Sequence, residues 1–298
     1  DDTIEGGAGN DIINSGAGND TIEGGAGDDT IVVSGSGTQH YDGGTGIDTL
    51  KMSDSLNQTT LADAIQIDLT SGRVFAIDHP DHVLNDTLVN FEIVDYNNAS
   101  SDLDLTLIGD AEDNTLISGS GDDTIEGGAG NDIINSGAGD DILTDGLGLD
   151  ILDGGDGIDT FKRDFSSDYD DYLFTVHVNL VDGTLTSPEY PDIDPDLIRN
   201  IENVELEGRF NYQITGDDNA NILSTGDGDD IIDGGDGDDD ISTGLGADVV
   251  YALAGNDRIT LTADATWGAG YRATNVSNAD SVGTGEKINI YGLNKFSD

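Results

Sequence analysis

DDTIEGGAGNDIINSGAG stands at residues 1–18 and again, letter for letter, at 122–139. Written in nines, the opening falls into register as GGAGNDIIN (6–14), SGAGNDTIE (15–23) and GGAGDDTIV (24–32). Position 4 of this frame is glycine, position 6 aspartate and position 8 a branched apolar residue. The frame returns over 118–162 and 225–260, and with GGTGIDTLK at 43–51 thirteen complete repeats carry both glycine and aspartate. A fourteenth survives as its tail, residues 1–5. SGSGTQHYD at 34–42 is degenerate, with Gln39 at position 6. GDAEDNTLI at 109–117 and GDDNANILS at 216–224 lead into their blocks with Asn114 and Asn221 there. Repeat blocks at 1–51, 109–162 and 216–260 thus alternate with non-repeating segments at 52–108, 163–215 and 261–298.

Such a chain has little with which to build an ordinary core. Of 298 residues 43 are glycine and only 6% are aromatic, and 62 acidic residues against 10 basic ones leave a net charge of −52. Low hydrophobicity with high charge is the signature of disorder, so the polymer on its own is expected to be a coil. That charge repels nucleic-acid phosphates and anionic membrane surfaces, and cations are its natural partners. Cysteine is absent, which removes disulfides and thiolate sites. No apolar run approaches the roughly 18 residues a membrane-spanning helix needs. The chain begins inside a repeat rather than at a methionine, so it reads as a fragment of a longer protein, without a signal peptide.

The glycines of the first six positions permit a sharp turn. The last three positions, such as DTI with a following polar residue, form only a very short strand. Alternation sends position 8 inward and positions 7 and 9 outward. Ile13, Ile22, Ile31, Ile125, Ile134, Leu143, Leu152, Ile232, Ile241 and Val250 then stack into a narrow apolar seam. Two nonapeptides of opposite heading make one coil of 18 residues, the length of the duplicated segment. Successive coils stack about 4.8 Å apart, and two carboxylates at that distance repel by roughly 0.9 kcal/mol even at the dielectric of bulk water. A column of position-6 aspartates therefore demands a cation. Calcium suits it, being a hard ion that takes six to eight oxygens from carboxylates and carbonyls. Lys and Arg are missing from 1–50, 109–161 and 210–257. Lys51, Lys162 and Arg258 appear only in the last strand of a block, so no side-chain cation supplies the charge along those three stretches.

The nonapeptide GGxGxDxUx is the calcium-binding repeat of RTX (repeats-in-toxin) proteins, and the three blocks resemble that family of secreted bacterial proteins. The resemblance implies an all-β fold, a parallel β-roll (a right-handed β-solenoid), in blocks separated by small β inserts or caps. It implies that each ion sits between two stacked turns, on the aspartate carboxylate and on carbonyls of the glycine positions. In the first block those residues are Asp2, Asp11, Asp20, Asp29 and Asp48, with Gly7, Gly9, Gly16, Gly18, Gly25, Gly27, Gly35, Gly37, Gly44 and Gly46. In the second they are Asp123, Asp132, Asp141, Asp150 and Asp159, with Gly119, Gly121, Gly128, Gly130, Gly137, Gly139, Gly146, Gly148, Gly155 and Gly157. In the third they are Asp230, Asp239, Asp248 and Asp257, with Gly226, Gly228, Gly235, Gly237, Gly244, Gly246 and Gly255. Roughly ten calcium ions are expected if two turns sandwich each.

The inserts resemble one another. IQIDLTSG at 65–72 parallels VHVNLVDG at 176–183, and NFEIVD at 90–95 parallels NIENVE at 200–205. Both alternate as half-buried strands do. They read as β elements that cover one roll and start the next, in a super-repeat of about 110 residues. Two further short strands are expected in 261–298, with Trp267 and Tyr271 packing near the final coil. HPDH at 79–82 reads as a surface loop rather than a transition-metal site. The Asp194–Pro195 bond carries no surrounding self-cleavage motif. A catalytic carboxylate needs a setting that raises its pKa apart from its neighbours; aspartates recurring in equivalent places behave as ligands, so no enzyme is expected.

Function is accordingly read as a calcium-binding structural region of a secreted or cell-surface bacterial protein, an adhesin or extension region. It would fold on extracellular calcium during export by the type I secretion machinery, with any host or surface ligand engaged through other modules. The alternative is a non-catalytic region of a secreted toxin, protease, lipase or epimerase.

Overall fold

The computed structural model describes residues 1–33, 37–52, 64–76, 86–97, 103–165, 174–187 and 195–261, with the strands Val276–Ser277 and Asn289–Tyr291. Every regular element among them is a β-strand, and no helix is long and apolar enough to cross a membrane. The fold is an all-β parallel roll. The chain divides into two units, Asp1–Gly157 and Ile158–Asp298.

In the first unit successive repeats deliver strands alternately to two sheets. One stacks Ile12–Ile13, Thr30–Val33, Thr49–Met52, Ile93–Asp95, Thr115–Ser120, Ile133–Ala138 and Ile151–Asp156, all parallel. Its position-8 residues fall into one row, Ile13, Ile31, Leu50, Val94, Leu116, Ile134 and Leu152, each at most 7% exposed. Their position-7 neighbours face out, as Ile12 at 81% and Ile133 at 47% exposure show. The second sheet carries Thr3–Ala8, Thr21–Ala26, His40–Thr45 and Asp86–Val89, then Arg73–Ala76, Ala64–Asp68, Asp104–Ile108, Thr124–Ala129 and Ile142–Leu147. Branched side chains suit a pleated surface with one buried face, and the period of two makes any one-residue slip expose the whole row.

Most strands in the first two blocks are longer than the sequence suggests, Ile12–Ile13 excepted. Thr124–Ala129 and Ile133–Ala138 run through positions 7, 8, 9, 1, 2 and 3, not through three positions alone. The glycine pair stays in the ladder because the matching pair of the next turn lies beside it, Gly128 against Gly146 and Gly137 against Gly155. The true turn shrinks to the Gly-x-Asp of positions 4–6. In the third block strands such as Ile222–Ser224 and Ile231–Asp233 are as short as expected.

Between the first two blocks the chain adds strands to both sheets. Asp86–Val89 pairs in parallel with His40–Thr45, while Ala64–Asp68 and Arg73–Ala76 form an antiparallel hairpin whose first strand pairs with Asp104–Ile108. The hairpin bend is set by Asp68, which accepts the Ser71 N–H at 2.9 Å, and by Gly72 at φ +64°. VHVNLVDG makes the same bend in the second unit: Asn179 accepts the Asp182 N–H at 2.9 Å, and Gly183 has φ +67°. An Asx turn followed by a left-handed glycine explains the shared sequence pattern.

The second unit repeats this architecture. Thr160–Asp164, Asn203–Glu207, Ile222–Ser224, Asp240–Thr243 and Arg258–Leu261 stack in parallel. So do Thr175–Asn179, Asn211–Thr215, Ile231–Asp233 and Val249–Tyr251. Its insert carries an aromatic core absent from the repeats: the Phe174 and Phe210 rings stack at 4.1 Å, and Phe165 meets Phe210 edge-on at 5.9 Å. His79, His82, Asp194, Trp267 and Tyr271 lie outside the described residues, as does Gly35 of the expected ligand set.

Candidate metal centre

Glycine at positions 2 and 4 aims backbone carbonyls along the stack. Gly128 has φ +104° and Gly130 φ +129°, a region L side chains rarely enter. A Cβ at either would overlap the carbonyl oxygen of the turn below, that of Asp110 or of Glu112. Among the expected glycines that are described, only Gly226, Gly244 and Gly246 lack a positive φ. Leu253 takes position 2 of the last repeat and adopts φ +55° without glycine's help.

Position 6 forms columns of carboxylates tied to the backbone. Within a column a residue donates its N–H to the Oδ1 of an aspartate one coil later. Asp11 donates to Asp29 at 2.8 Å, Asp29 to Asp48 at 2.7 Å, Asn114 to Asp132 at 2.8 Å and Asp132 to Asp150 at 2.8 Å. On the other side Asp2 donates to Asp20 at 2.7 Å, and Asp123 to Asp141 at 2.7 Å. The second unit has Asp230 donating to Asp248 and Asp239 to Asp257, both at 3.1 Å.

In position-6 aspartates such as Asp29 and Asp132 one carboxylate oxygen is consumed in this way and the other is not. The Oδ2 atoms of Asp11, Asp29, Asp48, Asp132 and Asp239 are buried without a hydrogen-bond partner, a costly state for a charged group. Each faces position 1 of its own repeat, where glycine leaves a cradle. A Cβ on Gly127 would lie 2.7 Å from Asp132 Oδ2 and 2.5 Å from the Asp145 carbonyl oxygen. On Gly6 it would lie 2.9 Å from Asp11 Oδ2 and 2.5 Å from the Gly24 carbonyl oxygen. An orphaned carboxylate oxygen therefore converges with a carbonyl of the next coil. These all-oxygen donors, charged and neutral together, fit calcium and lack the nitrogen or sulfur that zinc and copper prefer.

Electrostatics point the same way. Burial pushes the Asp123, Asp230 and Asp239 carboxyls up to about 7 and that of Asp132 up to about 6. Burial also raises Asp48, Asp141 and Asp248. The three basic side chains at the block ends pair with other acids instead: Lys51 with Asp95 at 2.6 Å, Lys162 with Glu205 at 3.0 Å, and Arg258 with Asp240. A bound divalent cation would supply the positive charge that these columns lack.

Three amides at position 6 behave differently. Gln39 accepts the Asp20 N–H at 2.9 Å, but its Nε2 donates to the Gly18 carbonyl at 2.6 Å, filling the place a cation would take. Asn221 donates from Nδ2 to the Glu202 carbonyl at 2.7 Å, and Asn114 donates to the Asp110 carboxylate at 3.3 Å. Gln39 thus keeps the acceptor role toward the preceding coil, whereas the Asn114 and Asn221 Oδ1 atoms accept the N–H groups of Asp110 and Asp217 in their own repeats, at 2.8 and 3.0 Å.

Sequence reasoning missed a second ladder, at position 5. Asn10 accepts the Asp28 N–H at 3.0 Å and Asp28 that of Ile47 at 3.1 Å; Asp113 accepts from Asn131 at 2.7 Å and Asn131 from Leu149 at 3.0 Å. The recurrence of Asn or Asp one residue before the position-6 aspartate is the signal that marks it.

The family model for the RTX calcium-binding nonapeptide repeat matches residues 1–31, 108–143, 127–161, 215–250 and 235–265. Comparison with curated proteins gives no match.

Proposed function

Because three blocks of this chain belong to the RTX calcium-binding nonapeptide repeat family, we propose that it is the calcium-folded structural region of a secreted or cell-surface bacterial protein. It is non-enzymatic and serves as an adhesin or extension segment. The buried, unpartnered Oδ2 atoms beside carbonyls of the next coil carry this reading. The chain's residues do two things here: aspartates present charge to the ion, and glycine turns present carbonyls that need no desolvation of side chains.

Calcium supplies the charge neutralisation, and its concentration supplies the switch. Extracellular modules bind at about 10⁻⁴ to 10⁻³ M. At about 1 mM calcium and the tighter limit each site adds roughly 1.4 kcal/mol, and some ten sites add about 14, comparable to the whole stability of a domain. At sub-micromolar calcium the contribution vanishes. The chain passes through the type I machinery unfolded, folds outside, and cannot slip back. Host or surface ligands are engaged by other modules.

Circular dichroism tests this. In EDTA the spectrum should be that of a coil, and millimolar calcium should restore the β signal where equal magnesium does not. A β spectrum indifferent to chelation would overturn the proposal.

A further inference from the structure

The inserts share a short pattern, NFE at 90–92 and NIE at 200–202, and its acid falls where a repeat would place its aspartate. Ile93 pairs with Thr49 and Val94 with Leu50, so Glu92 stands opposite Asp48 at the position-6 step. The Asp48 N–H donates to Glu92 Oε2 at 2.7 Å, the bond that Asp29 and Asp132 make to the aspartate of the next coil. Asparagine precedes the acid by two residues and takes the left-handed turn, Asn90 at φ +60°. The Asn90 carbonyl oxygen occupies the cradle at Gly43, where Asp48 Oδ2 also points, 2.8 Å from the Cβ site. Asp48 is 1% exposed and that oxygen has no hydrogen-bond partner.

Glutamate rather than aspartate has a geometric cause. The N–H groups of both Glu92 and Ile93 converge on the Asp48 carbonyl, at 3.2 and 3.0 Å. Two residues against one is a bulge, which displaces the backbone, and the extra methylene restores the carboxylate's reach. The second unit repeats the bulge, the acid's hydrogen bond and the left-handed asparagine. Glu202 and Asn203 N–H groups both reach the Asp159 carbonyl at 3.1 and 2.9 Å, Asp159 N–H donates to Glu202 Oε2 at 2.8 Å, and Asn200 has φ +50°.

We infer that the insert contributes a calcium site of its own, in which the Glu92 carboxylate and the Asn90 carbonyl join Asp48. This rests on the calcium reading of the repeats and extends it beyond them. The column of sites continues through non-repeating sequence, and docking of the insert onto the first block depends on the ion.

Anomalous diffraction from crystals of the full chain grown in calcium tests the site directly. An ion is expected within about 2.6 Å of a Glu92 carboxylate oxygen. Ions beside Asp132 with none beside Glu92 would overturn this inference alone, and ions at neither would overturn the calcium reading with it. In solution Glu92→Gln keeps the acceptor for the Asp48 N–H. The slope of stability against the logarithm of calcium concentration should fall by one ion relative to wild type. An unchanged slope would overturn the inference, provided Asp132→Asn lowers its own; if neither variant changes it, the calcium reading falls too. Should Glu92→Gln not fold at any calcium concentration, the diffraction result decides.

Discussion

Replacing Asp132 by asparagine removes one charge and almost nothing else. Asp132 is fully buried, its Oδ1 accepts the Asn114 N–H at 2.8 Å, and its own N–H is held by Asp150. An asparagine oxygen can keep the first bond, and the second belongs to the backbone. What is lost is the negative Oδ2 in the cradle of Gly127. At about 1 mM calcium and a dissociation constant of about 10⁻⁴ M, losing one site removes roughly 1.4 kcal/mol, and roughly 2.8 if the carboxylate serves ions on both sides. For a unit of this size that lowers the thermal midpoint by about 3–11 °C. Asp122→Asn is the control: Asp122 is exposed, and its bond from the Asp140 N–H at 2.9 Å survives in the amide. It should shift the midpoint by no more than about 2 °C, as surface substitutions do. Melting curves across 0.1–10 mM calcium, followed by circular dichroism, read both. Equal losses in the two variants, or an Asp132→Asn loss independent of calcium, would refute the assignment of this carboxylate as a ligand.

Acidity should act in opposite directions with and without calcium. The folded-state carboxyls of Asp123, Asp132, Asp230 and Asp239 are raised to about 6 or 7 by burial, above the unfolded value of about 3.9. Their contribution is therefore present below pH of about 4 and lost as pH rises through 6 to 7. Calcium-free protein should show more β signal at pH 4 than at pH 8, while calcium affinity falls on acidification because protons compete for the same oxygens; calcium-free folding that strengthens with pH would contradict the burial. Ile134→Ala should cost about 2–5 kcal/mol at saturating calcium, because the side chain is fully buried between Leu116 and Leu152, whereas its half-exposed neighbour should accept Ile133→Thr within about 0.5 kcal/mol. Paired denaturation curves check the alternation. Gly128→Ala should cost at least about 1–3 kcal/mol, from φ +104° and overlap with the Asp110 carbonyl, and unaltered stability would contradict that turn geometry.

Much of this was legible in residues one to nine of the repeat. A period that recurs thirteen times places every copy in the same surroundings, so local chemistry and global position coincide. Ile134 had to face in because it alternates with Ile133, and Asp132 had to meet Asp150 because one coil is 18 residues. The glycine positions followed from the turn each coil requires, and the family from the whole pattern.

Where the period breaks, the sequence is silent about which residue comes next in space. Only the folded chain brings Glu92 to Asp48 across 44 residues, and only a bulged backbone explains why a longer acid stands there. Folding also decided that Gln39 turns its amide into the Gly18 carbonyl, closing a place that an aspartate would have left open. In strands such as Thr124–Ala129 the three residues expected became six because neighbouring glycine pairs lie side by side. These outcomes depend on partners distant in sequence and on hydrogen-bond direction, which composition and spacing do not encode.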